Sequence, residues 1–376
     1  MGHISSAHAH VAALAALDRM TTARLHALLA GRTPEHAFAI AAGEQPATST
    51  IAALLAAEPE LRRRWVASAR SARPERLAAR CDELGVRVLL PGDDGFPAQL
   101  LDDPRRPAFV FAQGDLRAVE GRRVGIVGTR NPTRAGAQTA ARFGHDLAAA
   151  GVAIVSGLAL GVDGAAHRGA LDAGGVAVGV VANGHGDPYP RRHAELWRRV
   201  ADNGVVLSEW PPGTRPEAFR FPQRNRIIAA LSEVLVVVES RERGGSLITA
   251  TQAAERGVEV LAVPGPVDGR ASSGTNALLE DGAHPACSPE SVLVALGLDG
   301  RRSGRRRYDA RRRPTGAEAE VLALCRRGPR TLDHVVEATS MTLAEAAMTL
   351  ARLESAGWLV ATAGWFEAVD EFGDLA

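Results

Sequence analysis

The sequence predicts an α/β protein: an extended Rossmann-like, doubly wound parallel sheet, with a helical N-terminal domain before it and a C-terminal winged helix after it. Three observations carry this prediction. Runs of β-branched residues at Val124–Val127, Val152–Val155, Val176–Val181, Val205–Leu207, Val234–Val238 and Val258–Val263 alternate with helical segments, as parallel strands and crossover helices do. Most of these runs end in loops carrying Gly, Ser, Asn or Arg, and ligands in such sheets sit beyond the carboxyl ends of the strands. Leucines at helical spacing precede this region, and a helix–helix–helix–strand–strand pattern follows it. The expected divisions are 1–80, 81–298 and 315–376, with a linker at 299–314.

In the first segment Leu14, Leu17, Leu25, Leu28 and Leu29 share a helical period, with Gly31 as a stop and Thr33-Pro34-Glu35 as a new helix start. Ile51, Leu54, Leu55 and Leu61 continue the pattern up to Arg62-Arg63-Arg64-Trp65. This reads as a small bundle with a solvated basic face; a helix-hairpin module touching nucleic acid is the alternative. Val86–Leu90 and Phe109–Phe111 are short strands leading to the stretch that organises the chain, Val124-Gly125-Ile126-Val127-Gly128-Thr129-Arg130. There a buried strand hands over to a glycine turn, and the helix from about Ala135 is expected to aim its N–H groups at an anion. Beyond Leu298, the arginine-dominated run Arg301–Arg313 reads as a solvated tether. Helices around Ala317–Arg326, Leu332–Ala338 and Thr342–Ser355, with strands at Gly357–Val360 and Trp365–Glu367, complete a winged helix-turn-helix pattern. Its third helix carries Glu345, Glu354 and only Arg352, which favours a protein contact or a structural role over groove reading.

Composition removes several function classes. All 44 basic residues among the 376 are arginine, so neither a Walker A lysine nor a Schiff base is possible. Net charge is +1, so anion binding must come from local clusters. Cys81, Cys287 and Cys325 show no paired spacing, consistent with a reducing cytoplasm. No run approaches the roughly 18 apolar residues of a membrane span, so no membrane contact is expected.

The loops themselves discriminate further. A dinucleotide fingerprint needs G-x-G-x-x-G and a ribose-binding acid, whereas the first turn here is Gly125-x-x-Gly128-Thr129-Arg130 with no such acid. Ser156, Asp163 and His167 lack a nucleophile elbow, and the i, i+4 pair Asp163 and His167 reads as a helix cap or ion pair. Glu209, His185, Asp187 and His193 match no common metal-ligand spacing. No catalytic residue, metal or cofactor is therefore expected. Arg130, Arg224 and Arg226 are read as lying on strand-end loops beside Gly128, Thr129, Ser156, Gly157, Asn183, Gly184, Asn225, Gly245 and Ser246. Glycine admits the backbone, hydroxyl and amide groups donate, and arginine forks onto phosphate oxygens. Several such loops along one sheet edge suit single-stranded nucleic acid, with Phe221 a stacking platform at roughly 1–3 kcal/mol per base.

These residues carry a resemblance. Gly128-Thr129-Arg130-Asn131-Pro132, Ser156-Gly157-Leu158-Ala159 through Gly161-Val162-Asp163 to Ala166-His167, Phe221-Pro222-x-Arg224-Asn225-Arg226-Ile227-Ile228, Ser246-Leu247-Ile248-Thr249, Ala262-Val263-Pro264-Gly265 and Gly274-x-Asn276 together resemble the DNA-processing protein A (DprA/Smf) family over about Val124–Ala283. The resemblance implies a Rossmann-type domain that binds single-stranded DNA, forms a homodimer and loads the RecA recombinase in natural transformation or recombination. Thr129 replaces the family's usual Ser, and Leu160 and Val258 stand where basic residues are common. The second reading is a nucleotide-binding enzyme or sensor of the same Rossmann subtype, acting on a nucleotide or an N-glycosidic bond. Its phosphate loop would be Gly244–Thr249, but the enzyme motif is incomplete around Glu255.

Overall fold

A computed structural model describes residues 4–47, 49–298, 314–362 and 364–369. The chain divides into two compact units, Met1–Asp299 and Gly300–Ala376. Apart from Pro314, the expected linker at 299–314 lies outside the described residues.

The first unit opens with six helices, α1 (Ser6–Ala15), α2 (Thr22–Leu29), α3 (Pro34–Ala42), α4 (Ser49–Ala57), α5 (Pro59–Ala69) and α6 (Pro74–Leu84). Their limits follow local chemistry. Thr33 caps α3 by accepting from the His36 N–H at 3.3 Å, and Pro34 fills the first helical position, where no amide hydrogen is needed. Leu14, Leu28, Ile51, Leu61 and Trp65 are fully buried where the helices meet. Their core continues onto Val86, Val88, Phe109 and Phe111, in and beside β1 (Val86–Leu89), the edge strand, and β2 (Val110–Gly114). The arginine triplet forms a salt-bridged surface: Arg63 pairs with Glu60 at 2.6 Å and Arg64 with Asp18 at 2.8 Å.

Alternating units follow: β3 (Arg123–Val127), α7 (Arg134–Ala149), β4 (Ala153–Ser156), α8 (Val162–Asp172), β5 (Ala177–Val180), α9 (Ala194–Asp202), β6 (Gly204–Ser208) and α10 (Arg220–Leu231). Then come β7 (Val234–Val237), α11 (Gly245–Ala254), β8 (Glu259–Ala262), α12 (Ser273–Glu280), β9 (His284–Pro285) and α13 (Pro289–Ala295). The sheet order is β1-β2-β6-β5-β4-β3-β7-β8-β9. The strands from β6 across to β9 are parallel, while β2 pairs antiparallel with both β6 and β1. The expected doubly wound sheet thus carries an antiparallel edge, where it meets the N-terminal helices.

Alternate residues on each strand serve opposite faces. Val127, Val155, Val178 and Val237 pack with Ile227, Ile228, Ala250 and Ala253 of α10 and α11. Val124, Ile126, Ile154 and Val236 pack with Ala140, Phe143, Val162 and Val292 of α7, α8 and α13. The winding reverses at β3: β4, β5 and β6 are laid down on one side of it, β7 and β8 on the other. A crevice therefore opens beyond the carboxyl ends of β3 and β7, the topological switch point.

The second unit contains α14 (Ala317–Cys325), β10 (Arg330–Thr331), α15 (Leu332–Ala338), α16 (Leu343–Ser355), β11 (Leu359–Thr362) and β12 (Trp365–Ala368). Its antiparallel sheet has the order β10-β12-β11. The short β10 is an addition to the sequence expectation. Thr342 and Glu345 form a capping box that starts α16.

Two buried histidines give the first unit a pH dependence. His167 Nε2 donates to the Val178 carbonyl at 3.2 Å and His185 Nε2 to the Val206 carbonyl at 3.1 Å. Burial pushes each imidazole down to about 4 from the ordinary 6.5. The unfolded chain therefore takes up protons first on acidification. Stability is complete above about pH 6.5 and is lost as pH falls toward about 4, by up to about 3 kcal/mol per histidine. Thermal melts from pH 7.5 to pH 4 should show this decline, with a shallower slope in His185→Gln.

Candidate nucleic-acid interface

The switch-point crevice is a cleft of about 350 Å³ lined by the first residues after β3, the loop between β7 and α11, one side of α10 and the start of α11. The two strand ends are joined across it, the Thr129 N–H donating to the Glu239 carbonyl at 2.8 Å. Four arginines line the cleft, Arg130, Arg224, Arg241 and Arg243, against one carboxylate, Asp163. A larger cleft of about 430 Å³ lies beside the 209–223 segment, but Asp18, Glu209 and Glu217 line it together with Arg19 and Arg220. An anion is favoured at the switch point and not there.

Arg224 is the internal brace of the site. It is 3% exposed, and its Nη1 donates to the Gly157 carbonyl at 2.6 Å and to the Val180 carbonyl, joining the ends of β4 and β5. A Cβ on Gly157 would stand 2.4 Å from this guanidinium, so only glycine lets the loop approach it. Asp163 accepts from the Gly157 N–H at 3.1 Å and lies near enough to attract Arg224. Burial pushes the Asp163 carboxyl up and the Arg224 guanidinium down to about 10, and each opposes the other's shift. The loop they hold is strained: buried Leu158 has a φ of +53°, fixed by His193 Nδ1 donating to its carbonyl at 3.0 Å.

The outer cations are free. Arg130, Arg241 and Arg243 are exposed, and among the described residues none of them forms an ion pair. The Arg130 guanidinium lies 4.4 Å from the centroid of the Phe221 ring, so the expected stacking platform already carries a cation. Asn225 reaches the Gly245 carbonyl at 3.4 Å. No side chain caps the start of α11, and a Cβ added to Gly245 would meet nothing within 4 Å. The first N–H groups of a ten-residue helix, and its positive dipole end, thus face the cleft. Ser246 is buried with its hydroxyl donating to Ser240 Oγ at 2.9 Å, which orders the loop.

Several sequence expectations need correction. Arg224 and Arg226 lie on α10 and not on a strand-end loop; Pro222 sits in the first turn, where a missing N–H costs nothing. Residues two apart on a helix point about 200° apart. Arg224 accordingly faces the cleft, while Arg226 forms a buried ion pair with Glu209 and lines a different cavity beside His26. Ser156 Oγ is committed to the Ile126 carbonyl at 2.6 Å. Asn183 Nδ2 donates to the Asp187 carbonyl at 2.8 Å, and a Cβ on Gly184 would stand 1.8 Å from the Pro211 carbonyl oxygen. Ser156, Asn183 and Gly184 therefore shape the strand ends without lining the cleft. Asp163 and His167 are not paired with each other, and the β3-side helix does not offer a free start: the Glu239 carboxylate accepts from the Thr133 N–H at 2.9 Å there. His185, His193 and Glu209 each have their own protein partner. Val258 packs against the core, away from the cleft, and Leu160 is 37% exposed beside the cleft residue Ala159. Arg241 and Arg243 were missing from the sequence-based site. Their signal was a pair of arginines just before Gly244-Gly245-Ser246, in the loop that follows an all-apolar strand.

Among the described residues no helix is long and apolar enough to cross a membrane. Comparison with known proteins places the same region. A family model, DNA recombination-mediator protein A, matches residues 87–297. The Bacillus subtilis DNA processing protein DprA is 40% identical over 222 residues, 59% of this chain and 75% of that protein. The X-ray structure of DNA processing protein A from Streptococcus pneumoniae aligns with a TM-score of 0.63 at 28% identity, covering 78% of this chain and 98% of that one. The Helicobacter pylori DNA processing protein A, described for its single-stranded DNA binding mode, aligns with a TM-score of 0.51 at 29% identity over 57% of this chain and 96% of that one.

The displaced Arg226 makes a stability prediction. Its side chain and that of Glu209 are 7% and 9% exposed. Arg226→Leu should lower the unfolding free energy by about 3–5 kcal/mol in urea titrations, because it strands a buried carboxylate. Replacing both residues by leucine should recover most of that loss.

Proposed function

Because this chain belongs to the DNA recombination-mediator protein A family, we propose that its switch-point cleft binds single-stranded DNA and that the protein delivers the bound strand to the RecA recombinase. The observation that carries the reading is the pairing of an open helix start, at Gly245, with three free arginines around it. Arg130, Arg241 and Arg243 take the backbone phosphates, and the α11 amides take one of them head-on. Phe221, with Arg130 against it, supplies the aromatic surface for a base. Arg224 and Asp163 do not meet the strand as free charges; they hold the loop against which it lies. The role is one of binding and transfer in transformation or recombination, not of catalysis. A homodimer presents two such clefts to one strand. The C-terminal unit, read as a winged helix, serves protein contacts, since α16 offers Glu345 and Glu354 beside exposed Leu343 and Met348.

Titration of fluorescent oligo-dT at several salt concentrations tests this, with duplex, NAD and ATP as competitors. Binding should weaken steeply with salt and resist all three competitors. Arg130→Ala, Arg241→Ala and Arg243→Ala should each weaken binding several-fold and lower the salt slope by about 0.7 for each phosphate that is no longer neutralised. Unchanged affinity in all three variants would sink the site. Displacement by ATP alone would favour the nucleotide-sensor reading, and a filament-formation assay with RecA tests delivery.

A further inference from the structure

In a doubly wound sheet the start of the helix after the first parallel strand is the usual seat of a nucleotide phosphate. Here that helix is α7, sixteen residues long, and its start is already filled. Glu239, the second residue beyond β7, places its carboxylate there. Oε2 accepts from the Thr133 N–H at 2.9 Å and Oε1 from the Thr133 hydroxyl, which itself accepts from the Gly136 N–H at 3.0 Å. Gly136 is shaped to this occupant: a Cβ there would stand 2.2 Å from the Glu239 carboxyl carbon. The carboxylate is also fixed from behind, because the Glu239 carbonyl receives the Thr129 N–H at 2.8 Å. At α11 the situation is reversed, with no side chain capping the helix start and open space at Gly245.

We propose that Glu239 is a specificity-determining residue, an internal anion that occupies the phosphate seat of α7 and so bars free dinucleotides while leaving α11 to the phosphates of a strand. The inference rests on the α11 assignment made above. A dinucleotide pyrophosphate spanning the first turn would have to displace a carboxylate held by two hydrogen bonds, and would meet its charge on approach. A DNA strand needs only one phosphate at a helix start and finds its other contacts on Arg130, Arg241 and Arg243.

The test is a pyrophosphate titration followed by amide chemical shifts of Thr133–Gly136 and, separately, of Gly245–Leu247, on the full chain. In the wild type the α7 amides should stay still. In Glu239→Ala they should move and saturate, with apparent affinity there at least about ten-fold above the wild type. Glu239→Gln keeps the bulk and an acceptor but loses the charge, and should show a weaker but saturable response. Silence of the α7 amides in a variant that melts cooperatively would overturn the proposal, as would saturable movement in the wild type. A parallel oligo-dT titration separates the two readings. Failure of the wild type to bind DNA would sink the strand assignment, whereas intact wild-type DNA binding with α7 amides that stay silent in Glu239→Ala would sink the role of Glu239 alone.

Discussion

A single buried guanidinium holds the site together. Arg224 reaches from α10 to the backbone carbonyls that follow β4 and end β5, so three elements from distant parts of the chain share one donor group. Burying a cation is costly unless its hydrogen bonds are made and a counter-charge lies close. Both conditions are met here: two carbonyls accept, and Asp163 stands behind the loop, itself tied to the Gly157 N–H. The strained conformation at Leu158 persists because this arrangement leaves the loop no freedom to relax.

The electrostatics divide into an inner and an outer shell with different duties. Inside, charges are matched: Arg224 with Asp163, Arg226 with Glu209, and Arg256 with Asp103 at 2.6 Å. Outside, Arg130, Arg241 and Arg243 are unmatched. Net charge near zero therefore conceals a local surplus of cations at the one crevice that the winding of the sheet creates. A count of charges over the whole chain could not have located it.

Much of the fold was legible in the sequence, because the strands are buried on both faces and so read as continuous β-branched runs. Val124–Val127 and Val234–Val238 are of this kind, and each was recognisable without any partner strand. The antiparallel edge was harder to read, since the direction of β2 depends on its pairing with β6 and not on its own residues. The cleft was legible where its lining comes from turns: Gly128, Thr129, Arg130, Gly245 and Ser246 follow strands or open helices, and the structure brings them together. It was misread at Arg224 and Arg226, which were placed on a strand-end loop. Pro222 fits the first turn of α10, and that single change of local structure turns Arg224 and Arg226 from neighbours on one surface into residues on opposite sides of a helix. Glu239 went unnoticed because an acid after a strand carries no signal until the helix it caps is placed beside it.

The Arg130–Phe221 contact has its own consequence. The Arg130 guanidinium carbon already sits 4.4 Å from the centre of the Phe221 ring. In the proposed complex a base would pack beside this pair, a contact that does not read its hydrogen-bonding edge. Because the chain contains no lysine, every cationic side chain lining the cleft is a guanidinium. Such a group keeps its charge across the physiological pH range and has no amine to be acetylated. If the cleft binds DNA as proposed, its grip cannot be loosened by discharging the arginines, and release then depends on a competitor for the strand or on salt.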